Sequence, residues 1–236
     1  ICVSFQYMNN SSNTSAKTPA VLIVEIMDRI YKQGMTTTSG GNVSVTDAFG
    51  NTWITPAGLD KGDLKPSDIV CVKNDGTVSG SHSPSSEFPF HKAIYHCRPD
   101  IKAIVHAHPP ALVSFSITRQ IPDSRAIFTT CSICGSIGYA PYAMPGSQAL
   151  GEKVAREFSK GYDVIIMENH GAVAGGADIA DAFQRFESTE NCAGALIGAN
   201  LLGKPDFLTD EQVKEFGDGL KYSYPETDLS VKVTFD

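Results

Sequence analysis

Helical and strand-like hydrophobic patterns alternate along most of this chain of 236 residues, and no linker rich in proline and glycine interrupts them. Apolar residues recur at helical spacing in 18–33, 147–159 and 178–199, whereas the short apolar runs at 101–108 and 164–167 are typical of buried strands. A chain in which the two periods alternate packs its helices against a sheet. Because strict strand–helix–strand regularity is missing from the first half, we expect a single α/β domain with a central, mostly antiparallel mixed sheet flanked by helices.

The composition supports one packed core and disfavours two classes of partner. Hydrophobic residues make up 42% and charged residues 19% of the chain, a balance typical of globular domains. The 26 acidic residues exceed the 19 basic ones and give a net charge of -7, which disfavours a nucleic-acid-binding surface. No apolar run approaches the ~18–20 residues of a membrane span, and the first residues do not resemble an export signal. We therefore predict a cytoplasmic domain at 18–236, after a flexible lead-in at 1–17, with no nucleic-acid or membrane partner.

Two histidines separated by one residue, His106 and His108, are the strongest local indication of chemistry. On a strand these positions point to the same face, and paired imidazoles at a strand end are suited to binding a divalent metal. His170 follows the predicted strand at 164–167 and offers a third ligand. Three imidazoles favour zinc, with cobalt, manganese and iron as alternatives. The competing interpretation is that all three are ordinary surface or core histidines.

Glu87 lies at the start of a helix predicted at 88–97, after Ser85 and Ser86, either of which could be the N-cap. A carboxylate in this position commonly does no more than stabilise the helix dipole. Beside a metal, however, it can bind the ion or transfer a proton. His91 follows one helical turn later, so its side chain could face the same way as that of Glu87.

Three polar turns, at 39–44, 55–58 and 85–86, combine glycines, hydroxyl groups and free backbone N–H groups. Turns of this kind can hold a phosphate group. None of them contains the glycine–lysine pattern of a nucleotide-binding loop, so ordinary turn formation is the alternative explanation for each one.

Six cysteines are scattered along the chain, and Cys131 and Cys134 form the only closely spaced pair. A redox-active pair with this spacing normally opens a helix. We expect no helix here, because Gly135 and a proline-containing stretch follow the pair. A second pair for a zinc knuckle is also missing, so we predict scattered, buried thiols instead.

In their order along the chain, these motifs resemble those of the class II aldolase/adducin head family. The resemblance covers roughly residues 18–215. The matching stretches are TSGGNVS at 38–44, ITPAGLDKGDL at 54–64, PSSEFPFHKAIYHCRPDIKAIVHAHPP at 84–110 and MENHGAVAGG at 167–176.

The resemblance implies a zinc-dependent lyase that reversibly cleaves a ketose 1-phosphate, such as fuculose or rhamnulose 1-phosphate. The products are dihydroxyacetone phosphate and an aldehyde, formed through a metal-stabilised enediolate. Members of this family are often homotetramers with sites between subunits. By the same resemblance, the zinc ligands are His106, His108 and His170, the acid/base and candidate fourth ligand is Glu87, and the residues around the substrate phosphate are Asn42, Gly58, Ser85 and Ser86.

Other reactions on the same scaffold remain open. A methylthioribulose-phosphate dehydratase or an oxo-tetronate-phosphate decarboxylase would use the same four metal-site residues. A sugar-phosphate 4-epimerase is disfavoured, because members with that activity typically carry aspartate where this chain has Glu87. A non-catalytic adducin-like module is disfavoured because such modules lack the histidine set. The family's assisting tyrosine has no counterpart at 126–129, and Tyr222 or Tyr224 are the remaining candidates.

Overall fold

The computed structural model describes residues 17–215. The lead-in predicted at 1–17, apart from Lys17, and the candidate tyrosines Tyr222 and Tyr224 lie outside the described residues. The helices are α1 (Pro19–Lys32), α2 (Phe88–Cys97), α3 (Pro110–Thr118), α4 (Phe128–Cys134), α5 (Gln148–Ser159), α6 (Ile179–Leu202) and α7 (Asp210–Lys214). The strands are β1 (Asn42–Thr46), β2 (Thr52–Ile54), β3 (Val70–Val72), β4 (Val78–Ser79), β5 (Ala103–Ala107), β6 (Gly138–Ala140), β7 (Val164–Met167) and β8 (Gly171–Gly176).

The eight strands form one sheet in the order β4-β3-β2-β1-β5-β8-β7-β6. Neighbouring strands are antiparallel throughout, except that β6 and β7 are parallel. The prediction of a mostly antiparallel mixed sheet flanked by helices is therefore confirmed. At the centre of the sheet, β5 is hydrogen-bonded to β1 on one side and to β8 on the other.

Helices cover both faces of the sheet, and β5 shows how its residues divide between them. Ala103, Val105 and Ala107 are buried in a core shared with α1, α3 and α6. Ile104 belongs to the opposite core, which α2 and α5 complete. Because side chains alternate along a strand, His106 lies on the same face of the sheet as Ile104, the face covered by α2. Its ring packs edge to face against that of Phe90, with 5.5 Å between the two ring centroids.

The start of α2 differs from the prediction. The helix begins at Phe88, with Pro89 in its first turn, but its N-cap is Glu87 rather than Ser85 or Ser86. Ser85 Oγ instead accepts a hydrogen bond from the backbone N–H of Glu87, at 3.3 Å. The carboxylate of Glu87 is thereby left free of the capping role and available to the residues beneath the helix.

The expectation that Cys131 and Cys134 lie outside a helix is wrong, because both belong to the short helix α4. They lie at its middle and its last residue rather than at its N-terminus, where the helix dipole would lower a thiol pKa. Neither is in a disulfide bond, both are buried, and burial raises the pKa of Cys134 to about 12. The thiol of Cys134 is therefore protonated at neutral pH. Among the helices described within 17–215, none is both long and apolar enough to cross a membrane.

Candidate metal centre

Three imidazoles meet where β5 ends and β8 begins. The ring centroids of His106 and His108 are 5.0 Å apart, and His170 lies 4.8 and 5.1 Å from them. One ring nitrogen from each residue lies within 4.8 Å of the others, close enough for the three to share one ion. This arrangement requires the β5–β8 pairing, because His170 sits in the turn that leads into β8.

The backbone around the imidazoles fixes their orientation. His106 is fully buried, and its Nδ1 donates a hydrogen bond to the carbonyl of Ala172 at 2.9 Å. This bond leaves Nε2 as the ligand atom, an arrangement common among metal-binding histidines. His170 follows Asn169, whose φ of 53° is left-handed and therefore unusual for a residue other than glycine.

Glu87 places its carboxylate against this cluster. Its Oε2 lies 3.0 Å from Nε2 of His106, and its Oε1 lies 3.2 Å from Nε2 of His170. Neither contact is aligned as a hydrogen bond, so Glu87 Oε1 and His106 Nε2 are buried without a hydrogen-bond partner. Nε2 of His108 is also buried without a partner. Buried polar atoms normally have partners, and several unpaired ones facing each other fit the ligands of a cation.

The protonation states favour metal binding. Burial would raise the pKa of Glu87, but His106, His170 and the amide of Asn42 outweigh it and hold that pKa well below its usual range. Burial, together with the neighbouring His106, lowers the pKa of His108 to about 3 and that of His170 to about 4. At pH 7, therefore, Glu87 is ionised, and His108 and His170 are neutral, as metal ligands must be.

Asn42 connects Glu87 to a second buried histidine. Asn42 Nδ2 donates to Glu87 Oε2 at 2.8 Å, and Asn42 Oδ1 is hydrogen-bonded to Nε2 of His91. His91 is fully buried, and its Nδ1 lies 2.7 Å from Ser44 Oγ, which lies 2.7 Å from the hydroxyl of Tyr95. The sequence predicted that His91 lies on the same face of α2 as Glu87, but it gave no indication of a role for Ser44 and Tyr95. Their only local signal is inward alternation on β1 and helical spacing on α2.

The structure brings the predicted phosphate-binding turns together. Ser85 N–H donates to the carbonyl of Thr55 at 3.1 Å, and Ala57 N–H donates to the carbonyl of Ser83 at 3.0 Å. Gly58 is exposed with a φ of 72°, and Ser86 is exposed beside the buried Ser85. The turn that contains Asn42 joins them, because Thr55 N–H donates to the carbonyl of Val43 at 3.1 Å, while the side-chain amide of Asn42 binds Glu87 and His91.

We expect Gly171→Ala to destabilise the fold by about 1–3 kcal/mol, because the added methyl group overpacks the strand junction. A Cβ at this position would collide with the carbonyl oxygen of Ala107 and lie 2.8 Å from Cδ2 of His108. Urea denaturation of the wild-type and variant proteins measures the difference in free energy of unfolding. Gly198→Ala is the matched control, because its Cβ meets nothing within 4 Å on the exposed surface of α6. An equal effect of the two substitutions would contradict this close packing.

Comparisons with known proteins identify the family of this chain. The family model of the class II aldolase and adducin N-terminal domain matches residues 21–197. A 3-oxo-tetronate 4-phosphate decarboxylase of Haemophilus influenzae is 32% identical over 199 residues, covering 82% of this chain and 93% of that protein. An L-fuculose phosphate aldolase of Methanocaldococcus jannaschii is 36% identical over 188 residues, covering 77% of this chain and 96% of that protein.

A solved structure shows the same architecture. An L-fuculose 1-phosphate aldolase superposes with a TM-score of 0.78 at 30% identity, and the match covers 88% of this chain and 98% of that one. The family model, the relatives and the fold therefore agree. The chain belongs to the class II aldolase and adducin N-terminal domain family and, within that family, to the class II aldolase lyases.

Proposed function

We propose that this protein is a zinc-dependent lyase that reversibly cleaves a ketose 1-phosphate to dihydroxyacetone phosphate and an aldehyde. The observation that carries the proposal is a buried carboxylate, Glu87, held against His106 and His170 in the three-imidazole cluster, with Nε2 of His106 and Nε2 of His108 buried without hydrogen-bond partners. His106, His108 and His170 would hold the ion, with Glu87 as a fourth ligand when no substrate is bound. The set of three imidazoles favours zinc over the other divalent metals.

The proposed chemistry divides between the ion and Glu87. When bound, zinc supplies Lewis-acid chemistry at the substrate carbonyl and the adjacent hydroxyl group. In the synthesis direction, the ionised Glu87 removes a proton from the hydroxyl-bearing carbon of dihydroxyacetone phosphate, that carbon attacks the aldehyde, and the aldehyde oxygen takes up a proton. In cleavage, the hydroxyl group on the departing aldehyde half gives its proton to a base as the carbon–carbon bond breaks, and the protonated Glu87 delivers a proton to the carbon that remains. Oε1 suits this role, because Oε2 is already hydrogen-bonded to Asn42.

The phosphate group is proposed to bind at the paired turns beside the start of α2. Gly58, Ser85 and Ser86 supply backbone N–H groups and hydroxyls there, and the backbone bonds between the two turns support a common site. Asn42 remains in the predicted set, although its side chain is engaged with Glu87. By family resemblance, we further propose a cytoplasmic homotetramer with sites between subunits.

An oxo-tetronate-phosphate decarboxylase is the second candidate, favoured by the relative of that name in Haemophilus influenzae. A panel of substrates separates the two candidates. Fuculose, rhamnulose, ribulose and methylthioribulose 1-phosphates, together with a 3-oxo-tetronate 4-phosphate, are incubated with zinc-loaded protein, and the products are analysed by mass spectrometry. Dihydroxyacetone phosphate plus an aldehyde supports the aldolase, loss of carbon dioxide supports the decarboxylase, and loss of water supports a dehydratase.

We expect the purified protein to hold about one zinc ion per subunit and to lose its cleavage activity when a chelator removes the ion. Activity should return when zinc is added back, because the ligands themselves are unchanged. Metal analysis and the cleavage assay are run on the same samples, with a mock-treated sample as the control. Full activity in the metal-free protein would overturn the proposed mechanism.

A further inference from the structure

A chain of buried hydrogen bonds runs from α2 and β1 to the carboxylate of Glu87. It joins Tyr95 to Ser44, Ser44 to His91, His91 to Asn42 and Asn42 to Glu87. Its members come from two elements that are distant in sequence, β1 and α2. Within residues 17–215, no side-chain hydrogen bond joins His91, Ser44 or Tyr95 to the three imidazoles of the candidate metal centre.

The chemistry of the groups fixes the direction of every bond in this chain. The ionised carboxylate of Glu87 only accepts, so Asn42 must turn its N–H₂ group toward it and its Oδ1 toward His91. Oδ1 only accepts as well, and therefore His91 carries its proton on Nε2. Burial lowers the pKa of His91 to about 3, so the ring is neutral, and its Nδ1 accepts from the Ser44 hydroxyl, which in turn accepts from Tyr95. All donors point toward Glu87.

We propose that His91 is a positioning residue, which holds the Asn42 amide in the one orientation that donates to Glu87 Oε2 and so leaves Oε1 for proton transfer. This inference rests on the proposed function of Glu87. If the amide turned by half a rotation, Oδ1 would face the carboxylate and repel it. The Nε2–H of His91 opposes that rotation, because its partner would then be an N–H₂ group and the ring would have to move its proton to Nδ1.

Packing alone could also explain a buried histidine at this position. The ring of His91 stacks on Phe90, with 4.4 Å between centroids. A phenylalanine would keep that stacking and remove the donor, whereas a glutamine would keep an N–H donor at a position near Nε2. The two substitutions therefore separate positioning from packing.

We expect His91→Phe to lower kcat at least about tenfold, since it removes the bond that orients a hydrogen bond to a charged group. KM and the zinc content should stay near the wild-type values, and His91→Gln should restore most of kcat. His96→Phe is the matched control, because His96 lies exposed on the same helix. The inference is overturned if His91→Phe keeps kcat within about twofold of wild type, or if His91→Gln loses as much as His91→Phe.

A second measurement needs neither a variant nor activity. In protein labelled with ¹⁵N-histidine, long-range ¹H–¹⁵N correlations show which nitrogen of His91 carries the proton, and loss of its signals in His91→Gln gives the assignment. We expect the Nε2–H form, and the Nδ1–H form would overturn the inference. If the Nε2–H form is found while the wild-type protein cleaves none of the sugar phosphates, the proposed function fails and the orientation of Asn42 stands.

Discussion

Replacing His106 by alanine should abolish both zinc binding and turnover. Catalytic zinc sites generally have three firm protein ligands, and this substitution leaves two histidines beside the carboxylate of Glu87, which must leave the ion to transfer a proton. The orientation of His106, as a proposed ligand, is also fixed by its bond to the carbonyl of Ala172. Metal analysis of the purified variant and the cleavage assay, each compared with wild type, measure the two losses.

The matched control for this variant is His96→Ala, which removes an exposed histidine of α2. It should keep its zinc and its activity. Circular dichroism of both variants distinguishes loss of the ion from loss of the fold. Tightly bound zinc in a folded His106→Ala protein would show that the ligand set is wrong.

Glu87→Gln should keep the zinc ion and lower kcat by a factor of about 10² or more, the usual size of a general acid–base contribution. Glutamine has nearly the shape of glutamate, and its carbonyl oxygen can still accept from Asn42, but it cannot take up the proton. The exchange of deuterium from solvent into dihydroxyacetone phosphate isolates this step, because no carbon–carbon bond changes in it.

Glu152→Gln provides the comparison for Glu87→Gln, since Glu152 lies exposed on α5. Its exchange and cleavage rates should equal those of wild type. Near-normal exchange in Glu87→Gln, with zinc present, would remove Glu87 from the proton-transfer role and leave it as a ligand or a structural residue.

Local sequence patterns predicted the elements that are bounded by strong signals. The helix at 88–97 and the strand at 164–167 have the predicted bounds, because a proline in the first turn starts the helix and an apolar run defines the strand. The same reasoning missed α4, which is only seven residues long. A helix this short is not stable by itself and depends on packing, here against α6.

Apart from the placement of His91, the residues that support Glu87 could not be predicted from the sequence. Asn42 was expected near the phosphate, from the polar turn at 39–44 and from family resemblance, and the structure shows its side chain hydrogen-bonded to Glu87 and His91. That contact follows from the pairing of Asn42 with His106 across β1 and β5. Pairings between strands distant in sequence depend on the whole fold, and no local pattern reveals them.

The pairing of β1 with β5 also restricts where the chain can gain or lose residues. A single insertion inside β1 after Asn42, or inside β5 before His106, would shift the register and turn the side chain of Asn42 or His106 to the opposite face of the sheet. The turn at 47–51 between β1 and β2 carries no such restriction, because Phe49 and Gly50 are exposed there. Changes in chain length that preserve the site are therefore confined to the turns, and combinatorial libraries that vary length should leave the central strands intact.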